Sequence, residues 1–114
     1  MRVLVVEDEV IIAMSLEDML TDLGCSVIGP ATSLEQALLF ATTAEFDAAL
    51  LDVNLNGERS EPIAEVLTQR AIPYALVTGY GEAATEGHSN APPVLSKPCT
   101  PGSLSVLLRQ LASP

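Results

Sequence analysis

Short β-type runs alternate with stretches of helical period along this chain, and that alternation limits the fold more than any other feature. Val3 to Val6 is an unbroken apolar run, the pattern of a strand buried on both faces. From Val10 onward Ile12, Leu16, Met19, Leu20 and Leu23 recur at helical spacing, and Gly24 supplies a stop. Val27-Ile28 reads as a short strand broken by Gly29-Pro30. Ser33 is placed to cap a second helix, with Gln36 as its capping-box partner and Leu34, Ala37, Leu38 and Ala41 as its apolar stripe. Ala48 to Leu51 is a third strand, and Ile63, Ala64, Val66 and Leu67 belong to a third helix. Tyr74 to Val77, opened by Pro73, and Val94-Leu95 are the last two strands. Leu104, Leu107, Leu108 and Leu111 mark a closing helix with Pro101 near its first turn.

Strands that alternate with helices in this way specify an α/β fold, a parallel sheet covered on both faces. At 114 residues, two domains would each be too small to sustain a core, so residues 1–114 are read as one domain. Five strands in this length fit the flavodoxin-like doubly wound arrangement, order 2-1-3-4-5. One stretch breaks the rhythm. A fourth helix is due between Gly79 and Pro93, but YGEAATEGHSNAP at 80–92 has no apolar stripe. That helix is expected to be short, frayed or missing, replaced by a mobile loop.

Apolar residues make up 48% of the chain, which excludes disorder, and no apolar run is long enough to span a bilayer. No secretory-signal pattern opens the sequence, so a cytoplasmic location is expected. Cys25 and Cys99 form no metal or redox motif and are read as buried structural thiols. Fifteen acids against five bases give a net charge of −10. That balance argues against direct nucleic-acid binding, which needs a basic stripe, and against an anionic membrane surface. Lys97 is the single lysine.

In open α/β sheets, function collects at the carboxyl ends of the strands. The first strand ends in Glu7-Asp8, the third in Asp52, the fourth in Thr78 and the fifth in Lys97-Pro98; the second, ending in Gly29-Pro30, offers nothing. Three carboxylates, a hydroxyl and an ammonium therefore share one edge. Two unit charges about 4 Å apart interact by about 4 kcal/mol at the effective dielectric near a protein surface. Either a carboxyl takes up a proton or a cation enters. An incomplete set of hard oxygen donors suits Mg2+, which keeps several waters and accepts substrate oxygens. A carboxylate can attack phosphorus, and phosphoryl transfer needs mainly positioning and charge neutralisation. Thr78 and Lys97 suit the phosphoryl oxygens.

Four segments, VVEDE at 5–9, LLDVNLNG at 50–57, LVTGYG at 76–81 and LSKP at 95–98, carry a resemblance that runs along the whole chain. The sequence resembles a response-regulator receiver domain of bacterial two-component signalling. The resemblance implies Asp52 as phosphoacceptor and Asp8 and Asp52 as direct Mg2+ ligands. It also implies the backbone carbonyl of Asn54 as a ligand, Glu7 acting through water, and Thr78 and Lys97 touching the phosphoryl group. The family's aromatic switch residue, three before the lysine, is here Val94. Tyr80, two after Thr78, is the stand-in for it. Its Thr-Gly-Tyr segment is similar to a divergent subgroup, often free-standing, with a Phe-Ala-Thr-Gly-Tyr-like motif, although Leu76-Val77 replace Phe-Ala.

The leading expectation is thus a signalling module rather than an enzyme, catalysing only its own phosphorylation and dephosphorylation. It takes a phosphoryl group from a histidine kinase or histidine phosphotransfer protein onto Asp52. Val10, Ile11 and Met14, apolar beside the core face of the first helix, form the candidate docking patch. A small Mg2+-dependent aspartyl-phosphate phosphatase is the alternative. Such enzymes usually place a second aspartate two after the nucleophile, where this chain has Asn54. A flavin carrier shares the expected fold, but the acidic cleft would repel its phosphate and no tryptophan is present for stacking. Gly57 and Gly79 lie in no phosphate-loop motif, and His88 reads as a solvated residue.

Overall fold

A computed structural model describes residues 1–79 and 92–112. Its main sheet is parallel and five-stranded. The strands are β1 (Arg2–Val6), β2 (Ser26–Ala31), β3 (Ala48–Asp52), β6 (Tyr74–Thr78) and β7 (Val94–Ser96), in the spatial order β2-β1-β3-β6-β7. Among main-sheet strands alone this is the 2-1-3-4-5 order expected for a flavodoxin-like doubly wound domain. Among the described residues there are four helices, α1 (Val10–Asp22), α2 (Leu34–Thr43), α3 (Glu61–Gln69) and α4 (Pro101–Ala112). The expected short or missing fourth helix, Tyr80 and His88 lie outside the described residues.

Strand alternation sorts the core into two layers. Leu4, Val6, Ala49, Leu51 and Leu76 face α2 and α3, meeting Ala37, Ala41, Ile63, Ala64 and Leu67. Val3, Val5, Ala48, Leu50, Ala75 and Val77 face α1 and α4, meeting Leu16, Leu20, Leu104, Leu107 and Leu111. Every residue of β3 is buried, as a central strand covered on both sides must be.

Three expectations change. The first helix buries Ala13, Leu16 and Leu20, while Ile12 and Met19 are half-buried and Leu23 is exposed. Ala13 is buried on the inner side of the helix, and Leu23, its C-cap, has left the packed face. Gly29-Pro30 does not break β2, which runs on to Ala31 with an irregularity that sets three steps of β2 against two of β1. β2 is an edge strand, where a proline's missing N–H leaves no ladder bond unmade. Cys25 and Cys99 are free but only half-buried, packed against the α1/α4 layer.

The α2 cap works largely as expected. Ser33 Oγ accepts from the Gln36 N–H at 3.2 Å, and Gln36 Oε1 accepts from Thr32, one residue further back than a capping box requires.

A second sheet was not foreseen. It is a two-stranded antiparallel hairpin, β4 (Asn54–Leu55) and β5 (Glu58–Arg59), inserted between Asp52 and α3. Its signal was present: Asn-Gly between two pairing residues is a strong short-range hairpin sequence.

Candidate functional site: an acidic cleft around Lys97

The carboxyl edge of the sheet gathers the expected groups. Glu7 continues β1 by one residue and is fully buried, its N–H donating to the Ala31 carbonyl at 2.9 Å. The end of β2 therefore does contribute, by fixing the backbone of Glu7. Asp52 closes β3 opposite Val77 and is buried too. Glu7, Asp8 and Asp52 each bring a carboxylate oxygen to within 4.8 Å of the others.

Lys97 lies just past β7, where its N–H donates to the Thr78 carbonyl at 2.8 Å. Its side chain is 15% exposed, and Nζ sits 3.0 Å from Glu7 Oε1 and 3.4 Å from Asp52 Oδ2. Glu9, at the N-cap of α1, adds a fourth carboxylate at 4.0 Å, an exposed one that lies beyond the strand end as the third of three consecutive acids. Burial alone would pull the Lys97 ammonium down; the hydrogen bond to Glu7 and the charge of Asp52 outweigh it and hold the group above its ordinary value. Nearby, burial pushes the Cys99 thiol up, with Lys97 opposing, so this cysteine is not activated.

Thr78 ends β6 in register with Ser96 and is buried; its hydroxyl donates to the Gly79 carbonyl at 3.1 Å. The backbone of Asn54 enters β4 two residues past Asp52. Asp8 is half-buried, and its Oδ2 accepts the Asn56 N–H at 2.9 Å. Asn56 contributes through its main chain, so its side-chain type gives no sign of that role.

The donor set fits a hard divalent cation. All side-chain donors are carboxylate oxygens, and one lysine cannot balance them. Glu7 Oε2 is buried without a hydrogen-bond partner among the described residues, an orphaned anionic oxygen that a cation or its water would satisfy.

Beside this cleft Ile11 is 83% exposed, and Val10 and Met14 are also exposed, so these side chains are not a core edge. Next to them, between α1 and the turn after β7, runs an apolar groove of about 380 Å³, lined among others by Ile11, Ile12, Met19, Pro98 and Cys99. No helix among the described residues is long and apolar enough to cross a membrane.

A doubly wound domain with a buried aspartate, two further acids beside it and a lysine at the carboxyl edge of its sheet defines the receiver class of signalling domains. The comparisons agree: residues 3–109 match the family model for the response regulator receiver domain. The chain belongs to that family, the receiver domains of two-component systems. It is 30% identical, over 96% of its length, to the phyllosphere-induced regulator PhyR of Methylorubrum extorquens, and spans 42% of that relative. Among solved structures it is similar to SdrG of Sphingomonas melonis Fr1, with 39% identity and a TM-score of 0.88, covering 98% of this chain and 96% of that one. It is also similar to the BeF3-activated conformation of SdrG, described from Pseudomonas melonis Fr1, with 38% identity, a TM-score of 0.83 and the same coverage.

Proposed function

We propose that this domain accepts a phosphoryl group on Asp52 from a phosphohistidine and uses it to switch a partner-binding surface. An Asp52 oxygen attacks phosphorus, the P–N bond breaks, and its electron pair returns to the imidazole nitrogen. Later a water attacks the phosphorus, the P–O bond to Asp52 breaks with its electron pair returning to the carboxylate, and inorganic phosphate leaves. The observation that carries this reading is the buried Asp52 whose Oδ2 lies 3.4 Å from the Lys97 ammonium, in a cleft that also holds Glu7 and Asp8.

Lys97 and Thr78 suit the oxygens of the incoming group. Glu7, Asp8, Asp52 and the Asn54 carbonyl would hold Mg2+, which would supply the charge neutralisation that the lysine alone does not. The phosphoryl group adds a charge of about −1.5 to −2, enough to bias the segment after Thr78 between two arrangements, with Tyr80 as the switch residue. The exposed Val10, Ile11 and Met14 support docking of a histidine kinase or phosphotransfer protein beside the cleft. The module works in the cytoplasm, and catalyses only its own phosphorylation and dephosphorylation. The phosphatase alternative is not favoured, since Asn54 occupies the position of the second aspartate.

Incubation with acetyl phosphate and Mg2+, followed by intact mass, tests the core of this reading. One phosphoryl adduct on the wild type and none on Asp52→Asn is expected; an equal adduct on both would refute Asp52. For docking, charged substitutions at Ile11 and Met14 should abolish transfer from a kinase and spare acetyl phosphate. Equal loss with both donors would remove the docking role.

A further inference from the structure

We infer that the Asn56-Gly57 turn of the β4–β5 hairpin is a neutral positioning clamp that sets Asp8 for cation binding. The inference rests on the cation reading above and extends it to a main-chain group that a scan of side chains does not reveal. Asp8 lies beyond the end of β1, without ladder bonds to fix it. The hydrogen bond that orients it comes from a residue 48 positions away, the Asn56 N–H, at 2.9 Å to Oδ2. That leaves Oδ1 as the oxygen turned to other uses.

The donor is aimed by the fold of the turn. Leu55 pairs with Glu58, so the loop has two residues, and both have positive φ: 53° at Asn56 and 88° at Gly57. This is the mirror-image turn that matches strand twist, and Asn-Gly is its preferred sequence. On one side Leu55 is buried in the α2/α3 core, and on the other Ser60 is buried at the start of α3. The turn is therefore tied down at both ends. Asn54, whose carbonyl is the candidate backbone ligand, opens the same hairpin.

Charge explains why an amide is used. A lysine or arginine on Asp8 would neutralise the cleft and compete with a metal ion. A backbone N–H orients the carboxylate and leaves its charge available. Groups that orient metal ligands from outside typically affect affinity by roughly tenfold to a hundredfold.

Two glycines make a matched test. Gly57 has φ +88° and Gly24, beyond α1, has φ +86°; a Cβ meets nothing within 4 Å at either. Alanine at each position introduces the same backbone strain, but only Gly57→Ala disturbs the clamp. Mg2+ titrations of the full chain by calorimetry, with amide hydrogen exchange by NMR, read both affinity and the Asn56 bond. Gly57→Ala is expected to weaken Mg2+ binding roughly tenfold or more and to speed exchange at the Asn56 amide. Gly24→Ala should do neither. Should the turn absorb alanine with that amide still protected, Asn56→Val, β-branched at a positive φ, applies the same test. Unchanged affinity with a deprotected Asn56 amide would overturn the clamp. So would equal weakening by both glycine variants, since the loss would then follow general destabilisation. A wild type that binds no Mg2+ refutes the cation reading itself, and the clamp falls with it.

Discussion

β1 and β3 each have a charged residue at or immediately beyond both ends, and the two ends are built on opposite principles. At the amino edge Arg2 meets Asp47. The Asp47 carboxylate accepts the Arg2 N–H at 2.6 Å and lies 3.7 Å from the guanidinium Nε, with both side chains about half exposed. One acid answers one base, and water screens both. At the carboxyl edge Glu7 and Asp52 are buried and Lys97 nearly so, and acids outnumber the base. Exposed ion pairs contribute little to stability. Buried ones cost more in desolvation than they return unless their geometry is good. The same two strands thus hold a pair that is electrically complete and a cluster that is not. The incomplete end is where a ligand's charge would count.

The sharpest way to break this contrast is to remove the cation from the buried end. Lys97→Met leaves Glu7 and Asp52 without their ammonium, and loss of one partner from a buried pair costs about 3 kcal/mol or more. Urea unfolding without Mg2+ should show that loss as a lowered midpoint, and Glu7→Gln in the same background should recover part of it. A midpoint within experimental scatter of wild type would mean that the cluster is screened like the surface pair. Lys97 also gives the cluster an alkaline limit. Its folded pKa lies above its ordinary value of 10.5, so its stabilisation is complete below that pH. It is lost as pH rises through the higher folded value. The Lys97→Met protein should lack that alkaline limb.

A cation should complete the buried end from outside. Mg2+ at about 100 times its dissociation constant should stabilise the native state by about 2.7 kcal/mol. Thermal unfolding with Mg2+ and with a chelator measures this. The shift should shrink in Asp52→Asn and stay whole in Asp47→Asn. Equal shifts in both variants would place the ion elsewhere.

The contrast between the two ends also explains what the sequence made legible. The three central strands, β1, β3 and β6, were readable because burial on both faces leaves near-continuous apolar runs, as at Val3 to Val6. The cleft was readable because the doubly wound topology brings strand ends together, so polar types at Glu7, Asp52, Thr78 and Lys97 could be placed without coordinates. Asn56 was not readable from its side chain, because its part is played by an N–H that every residue but proline has. β2 was misjudged at Gly29-Pro30 because its position at the sheet edge, which makes proline tolerable there, is a property of the whole topology. The α1 stripe shifted to Ala13 because position on the helix, not side-chain size, decides burial: Ala13 is buried while the larger Ile12 and Met19 are half-buried at the edge of the α1/α4 layer.

The smallest effect is expected at the amino edge, and it sharpens the comparison by its sign and its salt dependence. The backbone N–H of Arg2 beside Asp47 holds that carboxyl below its ordinary value of 3.8, against a weaker opposing pull from desolvation. A depressed folded pKa means that the stabilisation is present above the ordinary value and is lost as pH falls through the lower one. Asp47→Asn should therefore flatten only the acid limb of the stability curve and leave the alkaline limb of Lys97 in place. Added salt should shrink the Asp47 contribution, because both partners face solvent, and should change that of Lys97 much less. Urea midpoints of the two variants at low and high ionic strength decide the matter. A salt response of the same size at both edges would show that burial does not separate them, and that the charge excess around Lys97 is screened as easily as the pair formed by Arg2 and Asp47.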